Sequence, residues 1–406
     1  MSTLLDVVSR PAAAAADARG VRVAALGGLL LAKAIGGWGV QWDIRWHLVI
    51  GRDSFWIAPH VMTYAGVALI TVLSLAVLAV ETRRARSAGA PAPGAVRVFG
   101  LVGTPGFHLA WWGIALTILA APIDDLWHRL FGIDVTLWSP PHLLGLLGAQ
   151  VNSVACLLIA LELWPAGSRG RQAALLAAGV FLLGAFYITV DPGIQTAFRR
   201  GGVFFYTWAV LGAAAFAFTH VLVARLAGTR WAPVAVAGGA AVLHLAGVGI
   251  GDAGFAVLEP APALEEALAD PDSPVAIAHE MARRNGSPGP GRSYTHRLWP
   301  ILPAALLALA DARRRWAMAS LALGAGLLAV SGGLFARLPA LAHALPSAGE
   351  TVAAAVLTAL AALAGGAIAV RLAAAFEPTP VASSGPRTPA PPSRFPSPPS
   401  RTSSPV

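Results

Sequence analysis

About ten apolar runs, each close to the roughly 20 residues that a helix needs to cross a hydrocarbon core about 30 Å thick, divide this chain almost end to end. They fall at roughly 21–41, 60–82, 103–122, 142–164, 172–190, 203–226, 231–251, 298–312, 316–337 and 351–375. The eighth is short and interrupted by Pro300 and Pro303. Charged residues make up only 12% of the chain, about half the share found in soluble domains. The fold class is therefore an all-α polytopic membrane helix bundle of about ten transmembrane helices.

The formal net charge of +9 comes almost wholly from arginine, Lys33 being the one lysine. The arginines gather in the hydrophilic breaks, a pattern of membrane topology and not of nucleic-acid binding. Arg10, Arg19 and Arg22 precede the first run, Arg83, Arg84 and Arg86 follow the second, and Arg169 and Arg171 follow the fourth. Arg225 and Arg230, then Arg313, Arg314 and Arg315, continue the alternation. The bias predicts a plasma-membrane protein with both termini cytoplasmic. Arg199, Arg200, Arg283, Arg284, Arg292 and Arg297 break it, the last four in a long loop where charge weighs less.

Four regions follow: a cytoplasmic segment over 1–20, a six-helix bundle over 21–226, further helices over 227–375 and a tail over 376–406. The first run reads as an uncleaved helix. The third region holds an extracytoplasmic loop, 252–297, with a short helical cap expected around Pro274 to Arg284. The tail is Pro, Ser, Thr and Arg, a composition that stays disordered. Cys156, alone in an apolar run, reads as a packed thiol.

Within the six-helix region a polar string occurs twice. Trp42-Asp43, Trp46-His47, Gly51-Arg52-Asp53, Trp56 and Pro59-His60 return as Asp124, Trp127-His128, Gly132-Ile133-Asp134, Trp138 and Pro141-His142. Each copy joins two apolar runs, so the first four helices form two helix–loop–helix units of the same orientation, both motifs facing the extracytoplasmic side.

In each copy the Asp and the first His are four residues apart, on one helical face. The second His follows a proline at the start of the next helix, where a hairpin can return it to the pair. Asp43, His47 and His60, and likewise Asp124, His128 and His142, then offer two imidazoles and one carboxylate, a donor set suited to copper, zinc or non-haem iron. The alternative is a pair of duplicated hydrogen-bonded turns, which must meet the cost of placing such groups near hydrocarbon. Asp53 and Asp134 are candidates to orient a ligating His, to cap a helix or to pair with Arg52 or Arg129. Trp42, Trp46, Trp56, Trp127 and Trp138 read as an interfacial belt.

The spacings D-x3-H-x12-H (Asp43, His47, His60) and D-x3-H-x13-H (Asp124, His128, His142) resemble the two copper-site segments of the C subunit of particulate methane monooxygenase and ammonia monooxygenase. The resemblance covers roughly residues 20–225 and rests on these short motifs. It implies copper at both triads, oxidation of a small apolar substrate by dioxygen, and partner subunits or a homo-oligomer. Asp124 stands where that family has an Asn, which implies extra negative charge at the second site.

Other polar residues lie in or beside the runs. His108 and His220, near inner ends, are expected to make interhelical hydrogen bonds. His244, Asp252 and Asp191 lie toward outer ends, as packing or capping groups within reach of the motif layer. Lys33 falls mid-membrane, to pair with Gln150 or Asn152 or to snorkel. Three functions are open at this point: a copper-dependent monooxygenase component, a non-catalytic copper-handling or transport protein, and a structural protein without metal.

Overall fold

The computed structural model describes residues 2–51, 54–131, 138–190, 207–290, 300–339, 342 and 345–376. The chain is an all-α membrane bundle in which, among the described residues, nine helices are long and apolar enough to cross a bilayer.

The first four helices are α1 (Ser2–Val49), α2 (Ala58–Ala88), α3 (Pro105–Phe131) and α4 (Pro140–Leu163). They run alternately up and down, and α1–α2, α2–α3, α3–α4 and α1–α4 all pack together. Between α2 and α3 lies a hairpin of β1 (Val96–Val98) and β2 (Leu101–Gly103). Its two turn residues, Phe99 and Gly100, both have positive φ, as a two-residue hairpin turn requires.

The duplication extends from the motif into the packing. In the first unit a Cβ on Gly66 would lie 2.7 Å from Gly36 N and 2.8 Å from Ala32 O. In the second, a Cβ on Gly148 would lie 2.6 Å from Gly113 O and 2.8 Å from Thr117 N. Gly113 and Thr117 follow Ala32 and Gly36 by the same 81 residues that separate Asp124 from Asp43. Small residues thus bring each helix pair into backbone contact, the usual means of association where lipid removes the hydrophobic drive between helices.

Beyond this bundle lie α5 (Arg169–Val190), then a π-helical turn (Thr207–Leu211) leading into α6 (Gly212–Ala227), and α7 (Ala232–Leu258). Short α8 (Glu265–Ala269) and α9 (Pro274–Arg284) follow, then α10 (Ile301–Leu309), α11 (Trp316–Arg337) and α12 (Ala348–Phe376). The eighth apolar run becomes α10, whose nine residues rise only about 14 Å, half the membrane core. Pro300 supplies its N-cap and Pro303 lies in its first turn, where missing amide donors cost least. It ends at a turn where Arg313 holds Asp311 (2.9 Å) and donates to Gly228 O (2.7 Å), while Arg225 donates to Arg313 O (2.9 Å).

Lys33 settles on one of its two expected partners. Its Nζ donates to Asn152 Oδ1 (3.0 Å) and Ala149 O (3.2 Å), linking α1 to α4 at mid-membrane. Asn152 in turn donates to Ala110 O (2.9 Å) on α3. His108 Nε2 meets Val96 O at 3.3 Å, so that histidine bonds to the β-hairpin and not, as expected, to another helix. His220 does not bond to one either. It is fully buried and neither ring nitrogen has a hydrogen-bond partner among the described residues. The tryptophan belt also needs correction: Trp42 and Trp46 are buried against Phe255 of α7, whereas Trp56 is 73% exposed.

Candidate metal centre

α1 continues without a break past its apolar stretch, so Asp43 and His47 sit one turn apart on a regular helix. α2 begins at Ala58 with Pro59 in its first turn, and the proline's fixed φ starts the helix with His60 turned back across the hairpin. The second unit repeats this, with Pro140 and Pro141 opening α4 ahead of His142.

The structure brings all six candidate residues together as two triads. Asp43 Oδ1 stands 3.5 Å from His47 Nε2 and 3.1 Å from His60 Nε2. Asp124 Oδ2 stands 3.4 Å from His128 Nε2, and its Oδ1 stands 3.4 Å from His142 Nε2. In both, the paired imidazole centroids are 6.3 Å apart. One donor atom from each residue lies within 4.8 Å of the other two.

These spacings bear on the choice between a metal and a hydrogen-bonded turn. Three of the four Asp–His separations exceed the roughly 2.7–3.2 Å of a nitrogen–oxygen hydrogen bond. Asp43 Oδ1 and Asp124 Oδ1 are buried and accept no hydrogen bond from the described residues. Donors about 2.0–2.1 Å from a shared tetrahedral ion would be separated by roughly 3.3–3.5 Å, which three of the four Asp–His separations match, those at Asp124 through its two different oxygens.

The tautomer of His60 agrees. Its Nδ1 lies 3.0 Å from Ser54 O, and because a carbonyl only accepts, Nδ1 carries the proton. In the neutral form of His60 the Nε2 lone pair then faces the Asp43 carboxylate, whereas in the protonated form Nε2 carries a second proton toward it. Two electron-rich atoms 3.1 Å apart repel unless a proton or a cation lies between them. A backbone carbonyl holding the remote ring N–H is also the usual orienting contact of a ligating histidine. The donor set therefore fits a divalent ion or a soft monovalent one at each triad.

The surroundings of the two triads differ. Around the first, Trp42, Trp46 and Ile50 are buried with Phe255 packed against them. Tyr64 lies beside His60 at a ring separation of 5.9 Å. His279 Nε2 lies 2.7 Å from Leu48 O and Ala263 N donates to Ile50 O (2.7 Å), so the α8–α9 segment caps the end of α1 just beyond His47. Outside the bilayer, Arg283 and Arg284 hold the Glu280 carboxyl down at about 2. Around the second triad, Trp138 Nε1 donates to Thr189 O (2.9 Å) and Arg129 pairs with Asp125 (2.8 Å) at the surface.

Asp53, Asp134, Arg52 and Asp191 lie outside the described residues. Asp252 pairs with Arg45 (2.7 Å), and His244 accepts from Gln41 through its backbone carbonyl (3.1 Å). No sequence signal joins Arg45 to Asp252, because 207 residues separate them and no shared motif links them. No protein-family model, curated protein or solved structure matches the chain.

Proposed function

We propose that this membrane protein binds copper at both triads and is a component of a dioxygen-activating membrane monooxygenase that acts on small apolar substrates. The observation that carries the reading is the twofold occurrence of one donor set, two imidazole nitrogens around a buried carboxylate oxygen that accepts no hydrogen bond from the described residues. Copper is favoured because two nitrogens and one oxygen suit it, because copper heads the divalent affinity order, and because the motif spacings resemble the copper segments of the monooxygenase C subunit. The arginine pattern supports a plasma-membrane orientation with both termini cytoplasmic and the triads extracytoplasmic.

Copper held there would supply the one-electron chemistry that dioxygen activation needs. The chain's own groups have separable tasks. Asp43 and Asp124 place negative charge beside the ion, and the Ser54 carbonyl fixes which nitrogen His60 presents. The glycine contacts between paired helices hold the two halves of each triad in register. Lying at helix ends, the triads are close to both bilayer and water, which suits an apolar substrate arriving from lipid.

One observation favours a second reading, copper handling without oxidation: the triad side chains are 20–29% exposed, which leaves them open to exchange. Protein purified in nanodiscs after copper supplementation, with His60→Ala and His142→Ala variants, separates the cases. About two ions in the wild type and one in each variant support two sites, and dioxygen uptake with a small alkane or ammonia supports the oxygenase. Copper movement into proteoliposomes without oxygen uptake supports handling, and a metal-free wild type sinks both.

A further inference from the structure

One face of α1 is bonded to α7 by three side chains spaced along a helical stripe. Trp38 Nε1 donates to Leu243 O (2.9 Å), Gln41 Nε2 to His244 O (3.1 Å) and Arg45 Nη1 to Val248 O (3.2 Å). Arg45 then donates through Nη2 to Asp252 Oδ1 (2.7 Å), and its guanidinium lies 5.2 Å from the Phe255 ring centroid. It is 5% exposed. α7 comes this close because it is glycine there: a Cβ on Gly247 would lie 2.5 Å from Gln41 Oε1, and one on Gly251 3.0 Å from Arg45 Nη1.

The duplication provides an internal comparison. Adding 81 to positions 38, 41, 42 and 45 gives Leu119, Pro122, Ile123 and Leu126 on α3. These residues are apolar, and Leu119, Ile123 and Leu126 are 51%, 37% and 54% exposed. Two near-identical triads thus have opposite backing: one helix is held by buried polar bonds, whereas the other offers an apolar face.

We infer that Arg45, locked to Asp252, is a positioning residue for the first triad, so that the third region of the chain tunes one metal site and leaves the other alone. The inference rests on the metal reading above. Arg45 lies between Asp43 and His47 in sequence, with the ligands on one side of the helix and Arg45 on the side that meets α7. Fixing the guanidinium on Val248 and Asp252 fixes the rotation of that helical turn, and hence where the Asp43 carboxylate and the His47 ring point. Paired with Asp252, the Arg45 guanidinium also opposes a cation bound at the first site less than an unpaired one would.

The test uses the full-length protein in nanodiscs and copper(II) as the probe, one site at a time. In a His142→Ala background only the first triad is intact, and in a His60→Ala background only the second. Asp252→Asn should weaken copper binding about ten- to a hundredfold in the first background, the usual cost of losing an orienting partner, and change the copper electron paramagnetic resonance hyperfine splitting. In the second background both readouts should stay as they were. Asp252→Glu, which keeps the charge, should restore most of the affinity, and it guards against a misfolded Asn variant. Equal losses in both backgrounds, or none in the first, overturn the inference. A parent that takes up no copper at all overturns instead the metal reading beneath it.

Discussion

Asp43 and His60 belong to different helices, yet Asp43 Oδ1 lies 3.1 Å from His60 Nε2 while accepting no hydrogen bond from the described residues. A buried carboxylate oxygen left in this state costs stability, and a cation between the two groups recovers it. Asp43→Asn should therefore act in opposite directions on folding and binding. Without metal, the variant should melt at the same temperature as the wild type or higher. Copper affinity at the first site should fall roughly five- to a thousandfold, since unit charges 4 Å apart interact by about 1–4 kcal/mol between water and an effective dielectric of 20. Thermal melts with and without copper measure both, and a variant destabilised without metal would show that the carboxylate serves the fold.

The glycine contacts make a second prediction. Gly148→Ala places a Cβ against Gly113 O at 2.6 Å and Thr117 N at 2.8 Å, and these are backbone atoms that cannot rotate away. Gly66→Ala meets Gly36 and Ala32 in the same way. Each should cost about 1–3 kcal/mol by overpacking, and each should disturb copper binding only in its own hairpin. Gly238→Ala, with open space around its Cβ, is the matched control and should change neither.

Much of this architecture could be read from residue order, for reasons that also mark where such reading stops. Apolar length announces the spans, and the Asp–His spacing of four, followed by Pro-His at a helix start, announces the triads. Both are local signals. The eighth run was harder, because hydropathy registers Ile301 to Ala312 as apolar without registering that nine helical residues cannot reach across. Bonds such as Arg45 to Val248 O leave no trace in sequence, since any carbonyl can accept them. The choice of Asn152 over Gln150 for Lys33 depended on which face of α4 meets α1, a property of the assembled bundle.

α9 yields a prediction about pH. Arg283 and Arg284 hold the exposed Glu280 carboxyl at about 2, below the ordinary carboxylate value near 4.5. A carboxyl depressed on folding contributes stability that is present above the unfolded value and is lost as pH falls through the folded one. The local ion pairs of α9 should therefore be intact from neutral pH to about pH 5, weaken below about 4.5 and be gone near 2. Hydrogen exchange of the α9 amides between pH 5 and 8, corrected for intrinsic rates, should be flat. Glu280→Gln should raise exchange across that range, and protection that changes between pH 6 and 8 would point to another group.

Lys33 and Asn152 supply the last prediction, which separates a stranded charge from a lost contact. Asn152→Leu removes the amide oxygen 3.0 Å from the ammonium and leaves it, among the described residues, with Ala149 O at mid-membrane. It also frees Ala110 O, which had accepted from the amide nitrogen. The loss should be about 1.5–3 kcal/mol, the worth of a hydrogen bond to a charged group. Lys33→Met alone should cost less, because the Asn152 oxygen that loses its donor is neutral, Asn152 keeps its bond to Ala110 and a flexible apolar chain fills the vacated volume. The double variant should then be more stable than Asn152→Leu by itself, since the charge left without its amide is gone. Thermal melts of the four proteins in one lipid composition give the coupling energy directly. Additive losses would mean that Lys33 reaches water by another route and that the link from α1 to α4 is packing alone.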